Sequence, residues 1–353
     1  WSWIPPWCDS LSKSLSYQFT LNCWGLDNDL VMMYNSDGGK ILSERDAKGE
    51  YTEMLCALPN ETRLATSGLS QEECFQGVAK EYLLDKDNPL DEFAKIDGYK
   101  SQLIDWLNGL SLDYIQIKSD NADLKVPIGN NRTWLKATVA NLPSFEVYTS
   151  PDWRGVEGTY STVLPIFLND DPAATKANLT FKKGEAESVD FQGSEEGVAK
   201  IQKYLAAYKD AGSLRLGELA FTDKRLSPIT KSLGDAISNE NVAGTMHVAL
   251  GRAFPSAYAG SQEPDWEALG LNVQCPTHFD IVNNSNFTAV GYTKDGKKIE
   301  LYANGQFCFE FKDAETTLNK IVKTCNEHLL GRGIITPMTG HGVINWQRGK
   351  LIK

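Results

Sequence analysis

Histidine is scarce in this sequence: four residues among 353, at positions 247, 278, 328 and 341. Cysteine is present but unpatterned. The seven, Cys8, Cys23, Cys56, Cys74, Cys275, Cys308 and Cys325, are odd in number and widely spaced, and no Cys-x-x-Cys occurs. That fits neither a zinc ribbon nor a disulfide framework, so the thiols read as buried and free, and the compartment as reducing: the cytoplasm. No run of about 18 apolar residues occurs, which excludes a transmembrane helix. The opening Trp-Ser-Trp-Ile-Pro-Pro-Trp lacks the basic start and apolar stretch of a secretory signal. Basic residues are outnumbered: 35 Lys and Arg against 46 Asp and Glu leave a net charge of −11. Without clustered Lys and Arg, binding to nucleic acid or to an anionic membrane is disfavoured.

What is present is the material of a folded protein. Apolar residues make up 41% and aromatics 10%, enough to bury a sizeable core, and the length suits two domains. Ser70-Gln71-Glu72-Glu73 is a capping box that predicts a helix over about 70–84. Asp87-Asn88-Pro89 breaks the chain, and Phe93, Ile96, Leu103 and Leu107 predict a second helix over about 90–109. Beyond it the chain turns strand-rich. Asp113–Lys118 alternates like a strand, Ala177–Phe191 reads as a hairpin about Lys183-Gly184, and Gly291–Phe309 as a meander turning at Asp295-Gly296 and Asn304-Gly305. Further helices are expected at 195–210 and 314–330. The shift near residue 110 divides an N-terminal domain, 1–110, from a larger domain, 111–353.

Four short segments place carboxylates and imidazoles beside apolar residues: Phe145-Glu146-Val147, Leu216-Gly217-Glu218-Leu219-Ala220, Met246-His247-Val248-Ala249-Leu250-Gly251 and Thr277-His278-Phe279-Asp280-Ile281. A lone carboxylate within an apolar strand is costly to bury unless it is paired or binds a cation. The plainer reading of Glu146 and Glu218 is a strand carboxylate pointing to solvent. His278 and Asp280, two apart, project from one face of a strand and can reach a single cation, while Phe279 and Ile281 turn to a core; the alternative is a half-exposed strand. His247 precedes Val-Ala-Leu-Gly, which reads as packed helix and a satisfied core histidine. His328 suits a helix C-terminus, and His341 an exposed loop. Together the segments hold three carboxylates and two imidazoles, a donor set for one or two divalent transition ions.

The order and surroundings of these segments resemble the M29 metallopeptidases, the aminopeptidase T and aminopeptidase S group. The family pattern Pro-x-x-Glu-Val-Phe-Thr-x-Pro reads here Pro143-Ser144-Phe145-Glu146-Val147-Tyr148-Thr149-Ser150-Pro151. Leu-Gly-Glu-Val-Ala reads Leu216-Gly217-Glu218-Leu219-Ala220. His-Leu-Ala-Leu-Gly-x-Ala-Tyr-Pro reads His247-Val248-Ala249-Leu250-Gly251-Arg252-Ala253-Phe254-Pro255, and Thr-His-x-Asp reads Thr277-His278-Phe279-Asp280.

The resemblance implies a metal-dependent aminopeptidase acting on peptides. Glu146, Glu218, His247, His278 and Asp280 would hold a cocatalytic pair of divalent ions (Zn, Co or Mn), with Glu218 bridging. It implies a homodimer, and an α/β and α+β fold with a smaller, shortened N-terminal α/β part and a larger, mostly antiparallel catalytic domain. The family tyrosine is Phe254 here, and a phenyl ring neither coordinates nor donates a hydrogen bond as a phenol does. Tyr258, four residues on, is the substitute the sequence offers. The same departure leaves open a metal-dependent hydrolase of other amides or esters, or a degenerate relative without peptidase activity.

Overall fold

The computed structural model describes residues 61–136, 144–162, 164–168, 171–260 and 264–312, with two short strands near the end. All lie in one compact unit, Leu55–Lys353. The helix expected at 314–330, His328, His341, Cys8, Cys23, Cys56 and Cys325 lie outside the described residues.

Three helices come first: α1 (Glu61–Ser67), α2 (Gln71–Glu81) and α3 (Pro89–Asn108). The strands β1 (Leu112–Ser119), β2 (Ala122–Pro127), β3 (Glu146–Thr149) and β4 (Glu157–Thr162) follow. Next are β5 (Ile166–Leu168), β6 (Asp171–Ala174), β7 (Lys176–Lys182), β8 (Glu185–Gln192) and α4 (Glu195–Ala207). The chain continues through β9 (Leu216–Thr222), α5 (Ala236–Glu240), β10 (Met246–Gly251) and β11 (His278–Asn283). It proceeds with β12 (Thr288–Thr293), β13 (Lys298–Ala303), β14 (Gln306–Phe307), β15 (Trp346–Gln347) and β16 (Lys350–Leu351).

Local chemistry sets these boundaries. Ser70 accepts from the Glu73 amide while the Glu73 carboxylate accepts from the Ser70 amide, closing the capping box of α2. Asn88 caps α3, with Pro89 in the first turn, where a missing N–H costs nothing. Helix α3 buries the stripe Ile96, Lys100, Leu103 and Leu107, at helical spacing. Lys183 and Gly184 both have positive φ, as do Asn304 and Gly305, which supports the two-residue turns read at those positions.

Every strand pair among the described residues is antiparallel. An eight-stranded sheet runs β14-β13-β12-β1-β2-β4-β7-β8, and a four-stranded sheet runs β11-β10-β9-β3. The apolar face of the smaller sheet packs on the larger one. Phe221 of β9 lies 5.4 Å from Tyr302 and 5.7 Å from Phe307, ring centre to ring centre. Between the sheets, the Tyr160 hydroxyl donates to the Ile281 carbonyl at 2.7 Å, and the Tyr302 hydroxyl to Thr222 at 2.8 Å. The fold is thus mixed α and β with mostly antiparallel sheets, and α3 shares its core with the strands after residue 110.

Two local expectations are corrected. His247 sits on strand β10, not on a helix, because Met246–Gly251 is covered on both faces and runs as a central strand. Among the described cysteines Cys74 and Cys275 are buried and free, but Cys308 is exposed.

Candidate metal centre

The four-stranded sheet puts the site on its second face. Register pairs Glu146 with Thr222, Tyr148 with Ala220, Ala220 with His247, Glu218 with Ala249 and Ala249 with Asp280. Side chains alternate along strands, so Glu146, Glu218, His247, His278 and Asp280 all project from this one face. Between them stand Ala220 and Ala249, whose small side chains leave the centre of the face open.

The geometry is close. His247 Nε2 lies 3.6 Å from Glu146 Oε2, 3.6 Å from Glu218 Oε2 and 4.0 Å from Asp280 Oδ1. His278 Nε2 lies 3.1 Å from Glu218 Oε2 and 3.3 Å from Asp280 Oδ1. Glu146, Glu218 and His247 are buried, so the solvent-facing reading of both strand glutamates fails. One oxygen of Glu146 and one of Asp280 are buried without a hydrogen-bond partner. Orphaned carboxylate oxygens aimed at a common point are what a cation would satisfy. Ligand atoms of Glu218, His247 and Asp280 lie within 4.8 Å of one another, so the residues present fit a divalent ion.

Backbone packing orients His278. Its Nδ1 lies 2.9 Å from the Arg252 carbonyl, a bond that fixes the tautomer and leaves Nε2 to face the cluster. Close approach makes that bond available. A Cβ on Gly217 would stand 2.2 Å from the Arg252 oxygen. Gly251 has φ +104°, and a Cβ there would stand 2.2 Å from the Thr277 oxygen.

Without a cation, the groups shift one another strongly. Burial, then the neighbouring Glu218 and Asp280, raise Glu146 to about 7. Burial would depress His247, yet the three nearby carboxylates, Glu218 first, then Glu146 and Asp280, lift it to about 9. His278 is likewise raised against burial, by Asp280 and Glu218. Burial raises Glu218 and Asp280, but the two imidazoles outweigh it and hold both below the usual carboxylate range. Protons on the imidazoles stand in for positive charge that the site otherwise lacks.

Sequence reasoning missed Glu240. It ends α5, is buried, and hydrogen-bonds Asp280. Burial, then Asp280, Glu146 and Glu218, raise it well above its ordinary value. Its neighbours Ser238, Asn239 and Asn241 are polar as well, and all are buried. The one sequence signal was its place between two of the motif segments. Tyr258 is set elsewhere: its ring packs edge-on to Trp266 at 5.9 Å, and its backbone bridges to Arg132. Phe254 is the ring beside the cluster, 5.1 Å from that of His278.

A cavity of about 150 Å³ opens beside His278 and Asp280, lined also by Pro165, Phe167, Tyr204 and Asn239. Its size matches a hole that takes a benzene ring. Asn239 donates to the Pro165 carbonyl at 2.9 Å, while its own side-chain oxygen has no partner.

A sheet face of carboxylates and imidazoles, closed on one side and open to a small cavity on the other, defines a metal-binding hydrolase type of site. The comparisons agree. The chain belongs to the M29 family, the thermophilic metalloproteases, whose family model matches residues 27–307. It is similar to aminopeptidase AmpS of Bacillus subtilis (strain 168), 24% identical over 310 residues that cover 81% of this chain and 73% of the relative. Aminopeptidase 2 of Geobacillus stearothermophilus is 26% identical over 243 residues, 64% of this chain and 56% of that protein. Among solved structures, wild-type AmpT from Thermus thermophilus shares the fold at TM-score 0.53 and 20% identity, over 67% of this chain and 59% of that one. Part of each relative therefore lies outside the matched region.

Proposed function

We propose that the protein is a metal-dependent aminopeptidase that hydrolyses the first peptide bond of peptides. The observation that carries this is the single buried face on which Glu146, Glu218, His247, His278 and Asp280 converge, with orphaned oxygens on Glu146 and Asp280. These five residues would hold a pair of divalent ions (Zn, Co or Mn), with Glu218, central in the cluster, shared between them. Such ions supply a Lewis acid for the scissile carbonyl and an activated water.

The protein's own groups do the rest. His278 is held in place by the Arg252 carbonyl. Glu240, hydrogen-bonded to Asp280, fixes that carboxylate's direction. The cavity receives the side chain of the first residue, an apolar one by its lining of Phe167, Tyr204 and Pro165. The unpartnered Asn239 oxygen and the Asp280 carboxylate suit a free α-ammonium, which needs acceptors. The same reading takes the enzyme as cytoplasmic, in keeping with the free thiols Cys74 and Cys275, and as a homodimer.

Purified protein assayed on leucyl- and phenylalanyl-arylamides, with metal content measured in parallel, tests this. Bound divalent metal, turnover of free amines and none of N-acetylated substrates is the expected result. Absence of both metal and turnover would contradict it.

A further inference from the structure

Tyr148 and Phe254 stand together at the flank of the metal-binding face, their ring centres 5.1 Å apart.

Tyr148 faces the site. Tyr148 is two residues from Glu146 on β3, so both project from the same face. It pairs with Ala220, which pairs in turn with His247, so the three stand in one row across the sheet. Strands sit about 4.8 Å apart, which puts the Tyr148 and His247 backbones roughly 10 Å apart with only an alanine methyl between them. Phe254 fills the flank, in contact with both Tyr148 and His278. Among the described residues the Tyr148 hydroxyl has no hydrogen-bond partner, although the side chain is largely buried.

We infer that Tyr148 is a catalytic hydrogen-bond donor, whose phenol points toward the metal-binding face and donates to the oxyanion of the tetrahedral intermediate. No proton is transferred: the O–H bond stays intact and the developing negative charge accepts from it. Tyr258, packed on Trp266, is not required. This assignment rests on the aminopeptidase reading above.

The test compares wild type, Tyr148→Phe and the double variant Tyr148→Phe/Phe254→Tyr. Three readouts are taken: steady-state kinetics on leucyl-arylamide, metal content, and calorimetric affinity for an α-aminophosphonate, a tetrahedral oxyanion mimic. Removing the hydroxyl should lower kcat by about 10²-fold with KM and metal content little changed. Phosphonate affinity should fall in parallel, and the double variant should recover at least about tenfold in kcat, since the hydroxyl returns to the same ring pair. If Tyr148→Phe keeps kcat and phosphonate affinity within about twofold of wild type, the assignment is overturned while the aminopeptidase reading stands. If metal is lost together with activity, Tyr148 is structural and the assignment is again overturned. A wild type with neither metal nor turnover overturns both.

Discussion

Two clusters of buried acid lie in this protein, and they solve the same electrostatic problem in different ways. Beneath α1, Glu81 and Asp235 flank Arg63, which bonds Asp235 closely and lies 3.4 Å from Glu81. That cluster carries its own cation. On the four-stranded sheet, Glu146, Glu218, Glu240 and Asp280 surround two imidazoles. The nearby Lys100 ammonium donates to the Ser144 carbonyl at 2.7 Å. Buried charge without enough opposite charge is expensive, so the sheet cluster must protonate its histidines and Glu240 or admit a metal ion. The difference separates a cluster held by a permanent guanidinium charge from one whose positive charge comes from titratable imidazoles that can release their protons to a metal ion.

The comparison breaks most visibly at Glu218. Glu218→Ala should lower turnover by at least about 10³-fold and reduce bound metal, while the denaturation midpoint of the metal-free protein falls little, because a surplus charge has been removed. Arg63→Met should do the reverse. It leaves two buried carboxylates unpaired, so unfolding in urea should show a loss of about 3–5 kcal/mol with metal content per folded protein unchanged. Metal loss in Arg63→Met, or stability loss without metal loss in Glu218→Ala, would collapse the distinction.

A smaller effect is expected at Lys100. Burial draws its pKa down to about 8, and it occupies the apolar stripe of α3 solely to reach Ser144. Lys100→Met should cost about 1–3 kcal/mol by stranding that buried carbonyl, read from the same urea curves.

An effect of similar size is expected on pH dependence. Burial, then Asp235, raise Glu81 to about 7 in the folded protein, against an ordinary 4.5. The folded state then holds a proton that the unfolded state has released, so the stability this carboxyl contributes is full below about 4.5 and is lost as pH rises toward 7. The slope is at most about 1.4 kcal/mol per pH unit. Glu81→Gln should flatten it, measured as the midpoint of urea unfolding at pH 5 and pH 7.5.

Much of this was legible in the sequence, for reasons that differ by element. The capping box at Ser70, Asn88 before Pro89, and the Lys183-Gly184 and Asn304-Gly305 turns are local chemistry, and the elements they bound formed where expected. His278 and Asp280 share a face because strand alternation requires it. His247 was misassigned to a helix, since a short apolar run reads alike as buried helix or central strand until its neighbours are known. Glu146 and Glu218 could not be told from surface carboxylates, because their burial depends on pairing with strands distant in sequence. Glu240 was hidden by polar neighbours that only the tertiary fold covers. The ring contact between Tyr148 and Phe254 is equally a product of the fold.

The central claim is that the sheet face of Glu218, His247 and Asp280 binds divalent cations. Anomalous diffraction from crystals grown with Zn²⁺, Co²⁺ or Mn²⁺ tests it most directly. The account predicts peaks about 2.0–2.3 Å from carboxylate oxygens and imidazole nitrogens of Glu218, His247 and Asp280. A metal-replete crystal with no peak there, and with His278 still hydrogen-bonded to Glu218, would contradict it.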